Sequence, residues 1–249
     1  MDQRRAEQPQ HPRRRDRACH HPAHRGQLTA DTWTIFEPGR SPDFDFGAGP
    51  NLYTTVINGR RTDVLGIGQK SGVYWALNPD TGAVIWNTQV GPGGPLGGIQ
   101  WGTATDGEHI YADVANFSHI PWTLTAADGT KSVTTGGIFA ALDPATGKID
   151  WQVPDPQAAT GDWLGISFVS SGGGVMYAGS SAPSGTNMYA FDGDTGEVLW
   201  SHASGGSVFG GAAVVDGTVY WGSGYDTSKF GLPYAGDNDK LYAFTLNGR

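Results

Sequence analysis

A segment of 13 residues that recurs three times is the feature that most restricts how this chain folds. The copies run over Tyr74–Trp86, Phe139–Trp151 and Met188–Trp200. They share an Ala, an apolar residue, Asn or Asp, then Thr-Gly and a closing Trp. Alternating apolar residues flank a turn in which the Asx, Thr and Gly residues supply local hydrogen bonds and a position tolerant of positive φ. Each copy therefore predicts a β-hairpin.

Further short β-rich runs precede the copies, at 63–68, 109–112 and 174–179. Together with the hairpins they give three or four strands per unit, which is typical of a β-propeller blade. A fourth unit begins at 218–224 and continues at 240–248. The predicted fold class is therefore all-β, a β-propeller of about four blades that forms an incomplete, half propeller.

The closing tryptophans Trp86, Trp151 and Trp200 hold one regular position in the repeat. We predict that each is buried between its own blade and the next. The composition agrees with this fold, since 39 glycines, 15 prolines and nine tryptophans in 249 residues indicate many tight turns between short strands with large apolar side chains.

Charge and cysteine content exclude several classes of function. From residue 29 onward, nine Lys and Arg face 21 Asp and Glu, a net charge of −12, which disfavours binding to nucleic acid or an anionic membrane. No apolar run reaches the length of about 18 residues that spans a membrane. The single cysteine, Cys19, excludes an internal disulfide, a Cys-rich zinc site and a haem-attachment pair.

The first 28 residues differ from the rest of the chain. They contain seven of the 16 Lys and Arg, show no strand or helix period, and lack the apolar core of a secretory signal. Three interpretations stay open: a disordered tail, residues from an out-of-frame start, and a nucleic-acid-binding arm. The propeller domain is expected to cover residues 29–249.

The repeats and the motifs between them resemble the quinoprotein (PQQ-dependent) alcohol dehydrogenases. The matching segments lie at 43–52, 69–77, 98–101 and 136–151, and the phrases Gly-Ala-Gly-Pro-Asn-Leu and Gly-Gln-Lys-Ser-Gly-Val-Tyr-Trp-Ala-Leu are similar to the polyvinyl-alcohol dehydrogenase branch. The resemblance implies an eight-bladed propeller with PQQ, and usually a calcium ion, on its axis. It also implies alcohol oxidation, a cytochrome c electron acceptor and a periplasmic or secreted location.

The same resemblance limits what we expect of this chain alone. The family's vicinal disulfide, calcium ligands and catalytic aspartate belong to the first half of the propeller, for which this sequence shows no counterpart. We therefore expect little activity from the isolated chain, and self-association as a way to complete the propeller. Two hypotheses for function follow: PQQ-dependent oxidation of alcohol groups, and a non-catalytic propeller that serves as a binding or assembly scaffold.

Five residues are candidates for the site by the same resemblance. Lys70 stands where the family places a cation beside the quinone C5 carbonyl, Asp45 and Asn51 where polar groups approach the cofactor, and Trp101 and Trp163 where aromatic rings lie near it. Each has a structural alternative. Lysines are mostly solvated, Asp and Asn residues form turns and local caps, and tryptophans pack in cores.

No metal ligands are assigned. The histidines at 109, 119 and 202 lack metal-ligand spacing. The acidic residues Asp226, Asp237 and Asp239 could attract a hard cation, but they lack the spacing of a known site, and an acidic turn is the simpler interpretation.

Overall fold

The computed structural model describes residues 43–161, 163–226 and 238–246, and these residues form four antiparallel β-sheets and one separate hairpin. We number the sheets blades 1 to 4. Blade 1 contains β1 (Asn51–Ile57), β2 (Arg60–Gly68), β3 (Val73–Leu77) and β4 (Val84–Gln89). Blade 2 contains β5 (Ala104–Thr105), β6 (Ile110–Val114), β9 (Ile138–Leu142) and β10 (Ile149–Pro154). The hairpin β7 (Trp122–Thr125) and β8 (Lys131–Thr134) lies between β6 and β9 in the chain.

Blades 3 and 4 repeat the same order of strands. Blade 3 contains β11 (Ser170–Gly172), β12 (Val175–Gly179), β13 (Met188–Asp192) and β14 (Val198–His202). Blade 4 contains β15 (Ala213–Val215), β16 (Thr218–Ser223) and β17 (Lys240–Thr245), so three strands of it lie within the described residues.

The hairpin of each repeat is built as the sequence predicts. The Oδ1 atoms of Asn78, Asp143 and Asp192 accept hydrogen bonds from the backbone N–H groups two and three residues later and from the hydroxyl of the motif threonine. The glycine that follows the threonine has a φ of 72° or 73° in all three copies, a left-handed conformation that glycine adopts without steric cost. The predicted turn chemistry is confirmed.

The tryptophan of one repeat contacts the turn of the next repeat. The indole Nε1–H of Trp86 donates to the carbonyl of Pro144 at 3.2 Å, and that of Trp151 donates to the carbonyl of Gly193 at 2.8 Å. A Cβ atom on Gly147 would lie 2.3 Å from the ring of Trp86, and one on Gly196 would lie 2.6 Å from the ring of Trp151. The motif glycine thus both forms the turn and admits the preceding tryptophan.

The predicted burial holds for Trp151, which is fully buried, and for Trp86, which is partly buried, but it is wrong for Trp200. Trp200 is 37% exposed and contacts Phe244 of β17, with ring centroids 4.7 Å apart. The residues after Leu246 lie outside the described part of the chain.

The blades stack face to face around a common line of inner strands. Separate apolar cores fill the spaces between blades 1 and 2, blades 2 and 3, and blades 3 and 4. Parallel bridges join Gly49 to Gly102 and Gly102 to Phe168 just before the inner strands β1, β5 and β11 begin. This radial order of four sheets, which do not close into a ring, confirms the prediction of a partial propeller.

The expectations for residues 1–28 fall outside the described part of the chain. In the part that is described, no helix has the length and apolar character to cross a membrane.

Candidate site around Lys70

Lys70 lies in the turn between β2 and β3, and its backbone is held by two other segments. Its N–H donates to the carbonyl of Asp45 at 3.0 Å, and its own carbonyl accepts from the N–H of Gly94 at 3.1 Å. The backbone also passes so close to Gly98 that a Cβ there would lie 2.1 Å from the Lys70 carbonyl oxygen. Lys70 is 8% exposed and is therefore not a solvated turn lysine.

The ammonium of Lys70 is paired with two carboxylates. Its Nζ donates to Oδ2 of Asp45 at 2.6 Å and to Oδ2 of Asp43 at 3.3 Å. The hydrogen bond to Asp45 raises the pKa of Lys70 despite the opposing effect of burial, and the same bond lowers the pKa of Asp45. The pair therefore stays ionised at neutral pH, with a charged ammonium fixed at one position.

Asp43 is a member of this cluster that was not among the five candidates from the sequence. Asp43 and Asp45 lie two residues apart in an irregular, non-helical segment, and such a spacing places both side chains on the same side of an extended chain. The Asp-Phe-Asp pattern was the available signal. Both carboxylates are more than half exposed, at 58% and 62%, so they are open to a ligand above the buried ammonium.

Asn51 connects blades 1 and 2 rather than forming a local cap. Its amide Nδ2 donates to the carbonyl of Thr103 at 3.1 Å, and its Oδ1 accepts from the hydroxyls of Tyr74 and Thr103 at 3.2 and 2.5 Å. These bonds hold the start of β1 against the segment that enters β5. The structure therefore brings Asn51 to the base of the inner strands, where its amide oxygen is already in use.

Gln100 and Trp101 carry buried polar atoms without a partner. The Oε1 of Gln100 and the indole Nε1 of Trp101 are inaccessible and make no hydrogen bond in the structure. The two residues follow Gly98, which contacts Lys70, and a Cβ on Gly47 would lie 2.5 Å from the Gln100 carbonyl oxygen. An unpartnered buried polar group costs about 1–3 kcal/mol, so these atoms are places where a polar ligand or water would be stabilising.

Trp101 and Trp163 contact one apolar cluster. That cluster contains the buried residues Ala115, Leu164, Ile166 and Phe209. Trp101 also stacks on Phe168, with centroids 6.0 Å apart and ring planes inclined by 26°. The indole N–H of Trp163 donates to the hydroxyl of Thr160 at 2.8 Å, so its polar edge already has a bond.

Two buried aspartates lie between blades 2 and 3, and sequence reasoning gave no sign of either. Asp113 on β6 is fully buried, accepts a hydrogen bond from the Ser167 hydroxyl at 3.3 Å, and has an unpartnered Oδ1. Burial raises its pKa well above the ordinary value. Burial likewise raises the pKa of Asp155 to about 6, although Ser180 and the Gln157 N–H donate to its carboxylate.

Within the described ranges, no three His, Cys, Asp or Glu side chains come together in a way that could hold a metal ion. Of the acidic turn considered above, Asp237 lies outside those ranges, while Asp226 and Asp239 belong to them.

Comparison with known proteins assigns this chain to a family. The family model described as "Outer membrane protein assembly factor BamB" (PQQ_2) matches residues 33–231, and the chain belongs to that family. The predicted resemblance to β-propellers of the quinoprotein alcohol dehydrogenases is confirmed.

Two curated relatives and two solved structures support this assignment. The chain is 32% identical over 238 residues to a polyvinylalcohol dehydrogenase of Sphingopyxis sp. (strain 113P3) and 31% identical over 234 residues to one of Pseudomonas sp., covering 84% of this chain and 34% of each relative. It therefore spans about a third of their length. The fold is similar to the quinohaemoprotein alcohol dehydrogenases of Pseudomonas putida HK5 and Comamonas testosteroni, at TM-scores of 0.55 and 0.56 and 18% and 17% identity. These matches cover 81% and 84% of this chain and 39% of each of those proteins.

Proposed function

We propose that this chain forms one side of a PQQ site for the oxidation of hydroxyl groups, with polyvinyl alcohol or another secondary alcohol as substrate. The observation that supports it best is the charged ammonium of Lys70, which is buried and held by two exposed carboxylates. The backbone of Lys70 contacts Gly98, and Gln100 and Trp101, which follow Gly98 in the chain, carry unpartnered buried polar atoms. The similarity to two polyvinylalcohol dehydrogenases supports the choice of substrate class.

Lys70, Trp101 and Gln100 offer polar groups that suit one edge of a flat quinone. Lys70 supplies a fixed cation, Trp101 supplies an unused N–H donor, and Gln100 supplies an amide without a bond at its oxygen. Bound PQQ would accept a hydride from the alcohol carbon and thereby supply the redox chemistry. Lys70 would polarise the quinone carbonyl and stabilise the negative charge that develops there.

The two carboxylates would divide two further tasks. Asp45 makes the shorter bond to Lys70, at 2.6 Å, and its lowered pKa keeps it ionised, so it orients the ammonium. Asp43 makes the longer bond, at 3.3 Å, so the ammonium holds it less tightly, and both carboxylates are more than half exposed. Asp43 is therefore the group that would take the proton from the substrate hydroxyl as the hydride leaves its carbon.

A calcium ion, which the resemblance implies, stays an expectation. The carboxylates of Asp43 and Asp45 already bind the Lys70 ammonium, and no third acidic or His ligand joins them among the described residues. A cytochrome c acceptor and a periplasmic or secreted location are proposed on the same resemblance and receive no support from the geometry.

The test is retention of PQQ by the purified chain. The protein is incubated with PQQ, with and without calcium, and the quinone absorbance that elutes with it in gel filtration is measured. We expect the wild-type chain to retain PQQ. Lys70→Met should weaken the affinity for PQQ at least tenfold, because this variant removes the only cation of the cluster. Lys131→Met, at an exposed position of β8, is the matched control and should not change it.

Dye-linked oxidation of secondary alcohols is then measured on the loaded protein. Low turnover together with clear retention of PQQ would support the proposal that this chain forms one side of the site and that further residues are needed for catalysis. Absence of retention would overturn the proposal and favour the second candidate, a non-catalytic propeller that acts as a scaffold. That candidate rests on the open array of four blades.

A further inference from the structure

The loop that follows β10 is tied at both ends to Gly137, the residue before β9. At its start the N–H of Asp155 donates to the carbonyl of Gly137 at 3.0 Å, and at its end the N–H of Gly137 donates to the carbonyl of Trp163 at 2.6 Å. We call the described residues between these ties, 156–161 and Trp163, the Trp163 loop. Several of its residues are exposed, so the loop lies on the surface.

The carboxyl group of Asp155 organises this loop from within. Its Oδ1 accepts the N–H of Gln157 at 2.8 Å, and the carbonyl of Gln157 accepts both the N–H and the hydroxyl of Thr160, each at 2.8 Å. The hydroxyl of Thr160 accepts the indole N–H of Trp163 at 2.8 Å. A continuous series of hydrogen bonds therefore leads from Asp155 to Trp163, which packs on the same apolar cluster as Trp101.

A carboxyl group at this position is a departure from the repeat. Asp155 stands four residues after the closing Trp151, where blade 1 has Val90 and blade 3 has Ser204. All three positions are buried, and the N–H of Val90 makes the same bond as that of Asp155, to the carbonyl of the residue before the third strand of its blade. The fold of the blade therefore does not require a carboxyl group here. Since burying a carboxylate is costly, its presence points to a role other than packing.

The surroundings of Asp155 do not balance a negative charge. The hydroxyl of Ser180, at the end of β12, donates to its Oδ2 at 2.5 Å, and the N–H of Gln157 donates to its Oδ1. Tyr189 on β13 is electrostatically coupled to Asp155, and burial raises the pKa of Tyr189, so this side chain stays neutral. Within the described ranges no Lys, Arg or His pairs with Asp155. Burial therefore raises the pKa of Asp155 from 3.8 to about 6.

The Trp163 loop is the part of these surroundings that can move when Asp155 becomes charged. Ser180 and Tyr189 belong to the buried side of blade 3 and are 0% and 1% exposed. The loop is instead a surface segment, and such segments open at a lower free energy than packed strands. Opening would admit water to the carboxylate and restore its ordinary pKa. The difference between 3.8 and about 6 corresponds to a shift of the opening equilibrium of roughly a hundredfold over the whole pH range.

We propose that the neutral carboxyl group of Asp155 holds the Trp163 loop closed, and that ionisation of Asp155 releases the loop together with the indole of Trp163. The folded, closed form binds the proton more tightly than the open form does, so closing is favoured at low pH and is progressively lost as the pH rises to about 6. The switch itself does not involve PQQ. Its consequence for ligand binding rests on the proposed function, in which Trp163 lies near the cofactor.

Hydrogen exchange of the PQQ-free chain at pH 5 and pH 7.5, corrected for the intrinsic pH dependence of exchange, tests the switch. We expect the protection of residues 156–161 to fall about tenfold between these values, while that of β9 and β13 stays unchanged. Asp155→Asn keeps an acceptor for the N–H of Gln157 but cannot ionise, so its loop should be equally protected at both values. Asp150→Asn, at the other end of β10, removes a carboxyl group that also has a raised pKa and should retain the wild-type behaviour.

The indole N–H resonance of Trp163, assigned by its loss in Trp163→Phe, gives a second measurement and should change with the same midpoint. Ser180→Ala should move that midpoint to higher pH, because the hydrogen bond from Ser180 lowers the pKa of Asp155. A loop that is equally protected at both pH values in the wild type, or an Asp155→Asn variant that keeps the full pH dependence, would overturn the proposal. Loss of protection in β9 and β13 along with the loop would also overturn it, since the opening would then be global. Failure to retain PQQ would count against the proposed function and not against this switch.

Discussion

The Nζ of Lys70 lies 2.6 Å from Oδ2 of Asp45, a residue 25 positions earlier in the chain, and the same carboxylate residue accepts the backbone N–H of Lys70 through its carbonyl at 3.0 Å. Side chain and backbone are thus tied to one residue. The ammonium therefore cannot reorient freely, and its positive charge stays at one position beside the exposed carboxylates.

Replacing Asp45 by Asn should lower the pKa of Lys70. The hydrogen bond to Asp45 is the largest cause of the raised value, and without it the effect of burial weighs more heavily. The pKa can be followed by NMR titration of the labelled lysine side chains. Asp80→Asn, at an exposed turn position, should leave the Lys70 titration unchanged. An unaltered pKa in the Asp45 variant would show that the pairing is not made in solution.

Trp151→Ala should reduce the free energy of unfolding by about 3–5 kcal/mol, the range for truncating a large buried aromatic side chain. Trp151 is fully buried and donates to Gly193. Trp200→Ala should cost clearly less, because Trp200 is 37% exposed. Urea unfolding of both variants provides the comparison, and equal losses would contradict the difference in packing.

Gly147→Ala should destabilise the chain more than Gly129→Ala. Both glycines have positive φ, 72° and 84°. An alanine at either position would therefore adopt a left-handed conformation, which destabilises the folded chain by about 1–2 kcal/mol. At Gly147 the added Cβ would also meet the ring of Trp86 at 2.3 Å, whereas nothing lies within 4 Å at Gly129. Overpacking of this kind adds about 1–3 kcal/mol. Thermal unfolding measures the difference, and similar melting temperatures would refute it.

Asp155 should make stability fall as the pH rises from about 4 to about 6. Its pKa is about 6 in the folded chain and 3.8 as the ordinary value, so the folded state binds the proton more tightly than the unfolded state does. Below pH 4 both states hold the proton, and above pH 6 the folded chain bears the cost of a buried carboxylate, roughly 3 kcal/mol.

Other carboxylates also contribute to the pH dependence. Asp113 and Asp150 have raised pKa values and act in the same direction as Asp155. Asp45, Asp106 and Asp128 have lowered pKa values, and their contribution to stability is lost below about pH 4. The measurement is therefore the difference in unfolding free energy between wild type and Asp155→Asn at pH 4 and pH 7. We expect the variant to gain stability relative to wild type at the higher pH. A constant difference across the range would mean that Asp155 does not titrate as its burial indicates.

The sequence by itself determined the blade hairpins and the glycine turns. Their hydrogen bonds run from Asx to residues two to four positions later, so they depend on local chemistry that a repeat displays directly. The positions of Trp86 and Trp151 followed from the same period, because each repeat meets the next in one geometry. The resemblance that led to Lys70, Asp45 and Trp101 also rested on motifs that can be read from the chain.

Only the tertiary structure decided how these residues are connected. Asp43 joined Lys70 across 27 positions, and Asn51 joined Thr103 across 52, where no local pattern records the pairing. The exposure of Trp200 depended on how much of blade 3 its neighbours cover. The burial of Asp113 on blade 2 depended on contact with the segment that leads into blade 3, where Ser167 donates to its carboxylate. Such outcomes arise from packing between segments distant in the chain, which sets burial and hydrogen-bond partners after the local turns have formed.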